Sequence, residues 1–124
     1  MVWFTADTHF GHKNILKYCD RPFKTVTEMD STLIYNWNCT VGYDDIVYFL
    51  GDFCMGKKVE ARKYFLQLHG HIFVVPGSHD TRWLRGTVPT FSNKVTVLPP
   101  LVTINIEKQP IVLCHYAMRV WDKS

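Results

Sequence analysis

No stretch of the 124-residue sequence reaches the roughly 18 consecutive apolar residues of a membrane span. The one apolar start, Val2-Trp3-Phe4, is interrupted by Asp7 and His9, so no secretory leader is expected there. Its four cysteines, Cys19, Cys39, Cys54 and Cys114, form no CxxC pair, and without an export signal they read as reduced thiols of a cytoplasmic protein. Cys54, two residues after Asp52, reads as a small buried apolar group. Charge of one sign is also scarce: 14 Lys+Arg stand against 11 Asp+Glu, a net of +3. The nearest approach to a basic stripe, Lys57, Lys58, Arg62 and Lys63, reads as the wet face of a helix. That argues against a dedicated nucleic-acid-binding module and leaves nucleic acid only as a substrate. Low-complexity tracts, Gly/Ser linkers and solenoid repeats are absent as well.

With 47% hydrophobic and 20% charged residues, the chain has the composition of one globular domain spanning residues 1–124. Short β-branched or aromatic runs, Val2–Ala6, Ile46–Leu50, Ile72–Val75, Leu101–Ile106 and Ile111–Cys114, have the length of strands. Their near-continuous apolar character predicts burial on both faces of a sheet. Helical spacing puts Met29, Leu33, Ile34 and Trp37 on one stripe, with Thr25 or Thr27 as N-cap. Lys57–Leu68 places Val59, Ala61, Tyr64, Phe65 and Leu68 similarly, and Gly70 is its stop. A shorter helix is expected over Asn14–Tyr18, and helices are expected to cease after about Thr87. The alternation reads as an α/β fold with right-handed crossovers. Leu101–Ile106 and Ile111–Cys114 read as a hairpin joined by Glu107-Lys108-Gln109-Pro110. Trp83 and Trp121 read as packing residues, and His69 and His71 as histidines meeting helix-terminal carbonyls.

Chemistry collects where these runs end. Val2–Ala6 leads into Asp7-Thr8-His9, Ile46–Leu50 into Gly51-Asp52, Ile72–Val75 into Pro76-Gly77-Ser78-His79-Asp80, and Ile111–Cys114 into His115. Ligands of open α/β sheets bind outside the carboxyl ends of strands, so these residues can share one rim. Asp and His together suit borderline divalent metals such as Mn²⁺, Fe²⁺ or Zn²⁺. A carboxylate such as Asp52 can bridge two cations about 3.5–4 Å apart.

In that order, Asp7-Thr8-His9, Gly51-Asp52, Gly77-Ser78-His79-Asp80 and His115 resemble the calcineurin-like metallophosphoesterases, whose pattern is D-x-H, G-D, G-N-H-[D/E], H and then G-H-x-H. The stretches Trp3–His12 and Tyr18–Phe23 are similar to a small phage and bacterial branch of that family. The resemblance implies an α-β-β-α sandwich and two divalent metal ions, Mn, Fe, Zn or Mg with Mn favoured. Asp7 and His9 would hold the first metal, Asp52 would bridge both, and Ser78 and His115 would face the second. His79 would stand beside the scissile phosphate as charge stabiliser or proton donor, with Asp80 orienting its ring. His12 and Arg21 would lie near the entrance.

Two departures qualify the match. Ser78 replaces the family's Asn, and a hydroxyl is the poorer ligand. The sequence also reaches Ser124 without G-H-x-H, so it resembles a member incomplete at the C-terminus, lacking much of the second sheet. The expected function is metal-dependent hydrolysis of phosphate mono- or diesters by a metal-activated water. The alternative is an inactive fragment or degenerate relative acting as an interaction module. An uncovered inner sheet face would call for a homo-oligomer or a complementing chain.

Overall fold

The computed structural model of the chain describes residues 1–85 and 93–122; the expected end of helical structure near Thr87 lies outside them. Strands β1 (Val2–Thr5), β2 (Ile46–Phe49), β3 (His71–Val74) and β4 (Val95–Val97) form a parallel sheet in the order β1-β2-β3-β4. Helices α1 (Ile15–Tyr18) and α2 (Val26–Thr40) connect β1 to β2, α3 (Lys58–Gln67) connects β2 to β3, and a 3-10 turn, Ser78–Asp80, follows β3. A second sheet pairs β5 (Leu101–Ile106) with β6 (Gln109–Cys114), antiparallel. Among the described residues no helix is long and apolar enough to cross a membrane.

Local chemistry sets these bounds. Thr25 caps α2 by accepting from the Glu28 amide at 3.1 Å, and the Glu28 carboxylate accepts from the Lys24 amide at 3.1 Å. Past α3, Gly70 takes φ +89°, the left-handed turn that stops the chain from continuing helically. β4 has only three residues, too short an apolar run to stand out in the sequence.

One face of the parallel sheet carries the core. Val47, Phe49, Ile72 and Val74 are buried there with Trp37, Ala61 and Phe65 from the helices, and Phe53 stacks on Phe65 at 3.8 Å between ring centres. Burying each such side chain contributes about 1.5–3 kcal/mol. On the other face Phe4, Tyr48 and Phe73 stack across three strands at 5.4 and 5.3 Å, and Phe4 is 46% exposed. Burial on both faces, as the unbroken apolar runs predicted, is therefore corrected. Aromatic side chains cover one another in a row and so tolerate half-exposure. β5 alternates as well, with Leu101, Thr103 and Asn105 exposed and Val102, Ile104 and Ile106 half-buried.

The hairpin is tighter than expected. Its turn is Glu107-Lys108 alone, at φ 48° and 68°, and Gln109 and Pro110 already pair with Ile106 and Asn105. Two left-handed residues match the twist of the flanking strands. Trp83 is fully buried, as a packing residue should be, whereas Trp121 is 50% exposed.

Candidate metal centre

The segments leaving β1 and β2 run side by side. The amides of Asp7, His9 and Phe10 donate to the carbonyls of Gly51, Asp52 and Phe53 at 2.9, 3.0 and 2.8 Å. Asp7, His9 and Asp52 each adopt left-handed backbone, at φ 59°, 50° and 59°. Three non-glycine residues in that region, all on one rim, mark a place where the fold holds backbone strain for side-chain direction. The segment after β3 comes close enough to require glycine: a Cβ on Gly77 would lie 2.4 Å from Asp52 Oδ1 and 2.6 Å from the Asp52 amide nitrogen.

These turns aim a set of donors at one another. His9 Nε2 lies 3.5 Å from Asp7 Oδ1 and 3.6 Å from Asp52 Oδ2, and His115 Nε2 lies 3.4 Å from the same Asp52 oxygen. Those gaps exceed a good hydrogen bond. They match the roughly 3.0–3.6 Å between two ligands that each sit about 2.0–2.2 Å from a shared ion. Two groups of three donors, His9, Asp52 and His79, and Asp7, Asp52 and His115, each fall within 4.8 Å, and Asp52 belongs to both. The donor set therefore fits a pair of divalent cations sharing one carboxylate. Asp7 and His9 stay side by side, His9 Nε2 being within 3.5 Å of Asp7 Oδ1, and the two groups add His79 and His115 on either side of Asp52.

The far nitrogens of the histidines are fixed. His115 Nδ1 is 2.7 Å from the Leu50 carbonyl and so donates to it, which turns Nε2 inward towards Asp52. His9 Nδ1 meets His12 Nδ1 at 3.0 Å, one nitrogen donating to the other. Burial holds His9 below the usual imidazole range, against the opposing pull of Asp52 and Asp7. Burial, reinforced by the neighbouring His9, lowers His12 too. Neutral imidazoles can ligate without first losing a proton. His79 is anchored through its amide, which donates to Asp52 Oδ1 at 2.9 Å, and its ring lies 5.3 Å from that of His9 and 5.4 Å from that of His12. Ser78 is exposed at the start of its turn, and its hydroxyl makes no hydrogen bond among the described residues.

No family model matches the chain. It is 49% identical over 81 residues to an uncharacterized protein, MJ1445, of Methanocaldococcus jannaschii, a match covering 64% of this chain and 46% of that protein. It is 35% identical over 82 residues to the Gene 66 protein of Mycobacterium phage L5 and 33% identical to that of phage D29, covering 64% of this chain and 39% and 40% of theirs. The matched segments thus amount to less than half the length of these relatives. Among solved structures, the protein of unknown function AQ665 from Aquifex aeolicus superposes with a TM-score of 0.71 over 99% of this chain and 65% of that one, at 24% identity. That likeness shows a shared fold.

Three side chains hold the rim in ways the sequence did not reveal. Asp80, fully buried, accepts from the amides of Asp52, Phe53 and Gly77 at 2.8 Å each and from the Trp83 indole at 2.7 Å. Its carboxylate joins two loops, so the expected bond to the ring of His79 is replaced by backbone bonds. Arg21 turns inward: its two terminal nitrogens donate to the carbonyls of Thr8 and Asp7 at 2.8 and 2.7 Å. Asp30 accepts from the Gly11 amide at 3.1 Å and the Tyr64 hydroxyl at 2.9 Å, steadying the turn after His9. Burial raises the Asp30 carboxyl even so. Cys54 faces the core, with burial pushing its thiol up to about 12, and takes no part in the donor set.

Proposed function

We propose that the chain carries a calcineurin-like metallophosphoesterase centre that hydrolyses phosphate mono- or diesters with two divalent cations, Mn²⁺ favoured. Its parallel sheet and its hairpin are then parts of the α-β-β-α sandwich. The observation that carries this reading is the single Asp52 carboxylate shared by two donor groups at 3.4–3.6 Å from the facing imidazole nitrogens. Bound cations at such a centre neutralise phosphoryl charge and lower the pKa of water.

The chain's own residues supply the rest. Asp7, His9, Asp52 and His115 would hold the cations, and burial keeps His9 below the usual imidazole range. His79, fixed through its amide to Asp52, would stand beside the scissile phosphate as charge stabiliser or as proton donor to the departing oxygen. Asp80 positions both loops without touching that ring. Ser78 leaves one ligand position to water.

The test is hydrolysis of p-nitrophenyl phosphate and its bis ester by the purified chain with Mn²⁺ and with EDTA. Turnover is expected with Mn²⁺ only, and Asp52→Asn is expected to lower it by about 10²-fold or more, the scale of losing a catalytic electrostatic group. A chain that holds Mn²⁺ but cleaves neither ester would instead be an interaction module.

A further inference from the structure

Residues 13–24 contain Lys13, Lys17, Arg21 and Lys24 against Asp20. Removing these four from 14 Lys+Arg, and Asp20 from 11 Asp+Glu, leaves ten of each, so this one segment holds the entire net charge of +3. The four cations line a cavity of about 570 Å³, with Phe23 and Asp20 also in its wall. Among the described residues Lys13, Lys17 and Lys24 are exposed and make no ion pair. Like charges gathered around a hollow repel one another and are relieved by a polyanion.

The cavity adjoins the metal centre. Arg21, in its wall, bonds the carbonyls of Asp7 and Thr8, the residues that lead into His9. A second, independent feature lies at the same rim. Tyr18 is 75% exposed and sets its ring edge-on to His12 at 6.4 Å, and the His12 ring is in turn 5.4 Å from that of His79. A basic hollow flanked by an exposed aromatic ring is how proteins hold single-stranded nucleic acid: cations follow the phosphates, and a ring takes a base.

We infer that Lys13, Lys17 and Lys24 form a subsite for the phosphodiester backbone of a single-stranded nucleic acid, with Tyr18 as a base-stacking platform beside the centre. This rests on the phosphoesterase reading only for what happens to the strand once bound.

Binding can therefore be tested without turnover, by fluorescence anisotropy of a short labelled oligothymidylate in EDTA across a salt series. Log affinity should fall with log salt at a slope of about −2 to −3, as three or four phosphate contacts on a single strand require. The combined Lys13→Ala, Lys17→Ala, Lys24→Ala variant should bind about tenfold or more weakly and lose about two units of that slope. Tyr18→Ala should weaken binding about fivefold or more with the slope unchanged. Aryl phosphate turnover and thermal melting should stay as in the wild type for both variants. Wild-type binding by the triple lysine variant would overturn the subsite. So would a nucleoside triphosphate displacing the oligonucleotide at equal phosphate concentration, since the site would then read a free polyphosphate. Oligonucleotide binding without Mn²⁺-dependent hydrolysis would sink the phosphoesterase reading and leave the subsite standing. Aryl phosphate hydrolysis without oligonucleotide binding would do the reverse.

Discussion

Arg21 shows how much of the centre depends on groups that never face it. Two consecutive carbonyls, those of Asp7 and Thr8, are gripped by one planar guanidinium, and Asp7 and His9 on either side of Thr8 are left-handed. Lysine keeps the charge but cannot span both carbonyls. Arg21→Lys is expected to destabilise the fold by about 1–3 kcal/mol, the cost of a lost charge-assisted bond. It should also weaken Mn²⁺ binding, which calorimetric titration and denaturant unfolding would measure together; unchanged metal affinity would separate the grip from the centre. Asp7, His9, Asp52, His79 and His115 were legible in the sequence because each directly follows a strand-like run, and strand ends are where α/β sheets present ligands. The partners of Asp80 and Arg21 were not. Asp80 acts on Asp52 and Phe53, 28 and 27 residues away, and Arg21 on Asp7, 14 away. Such contacts depend on tertiary approach and leave no local pattern.

The loop from α2 to β2 makes an element-scale prediction. Asp45 accepts from the Trp3 indole at 3.0 Å and the Gly42 amide at 2.9 Å, tying the loop to β1. Those bonds, Trp3's first, hold its carboxyl down at about 2 against an ordinary 3.8. A depressed carboxyl contributes stability above its unfolded pKa and loses it as the pH falls through the folded one. That contribution should therefore be intact above pH 3.8 and fade towards pH 2. Asp45→Asn should flatten this part of the acid-unfolding curve, and an unaltered curve would place the acid sensitivity elsewhere. Elements were legible to the extent that their apolar pattern was long enough. The fifteen-residue α2 and the ten-residue α3 stood out, while three-residue β4 did not. Strand faces were misread because β1, β2 and β3 carry aromatics on the outer face, which look as apolar as the core.

At the scale of the molecule, charge and strain gather at the same end. The left-handed residues Asp7, His9 and Asp52, the shared donors and the basic cavity all lie at the carboxyl rim of the parallel sheet or against it. The cavity was not legible in the sequence, because Lys13, Lys17, Arg21 and Lys24 are interrupted by apolar residues and by Asp20 and line one hollow only in the folded chain. Ions that bind only the folded chain stabilise it by mass action, so Mn²⁺ should raise the melting temperature. The central claim is the sharing of Asp52, and calorimetric titration of the metal-free chain with Mn²⁺ tests it most directly. Two ions per chain are expected for the wild type, with both affinities falling together in Asp52→Asn. Absence of Mn²⁺ binding, or an Asp52→Asn variant that still takes both ions with wild-type affinity, would contradict it.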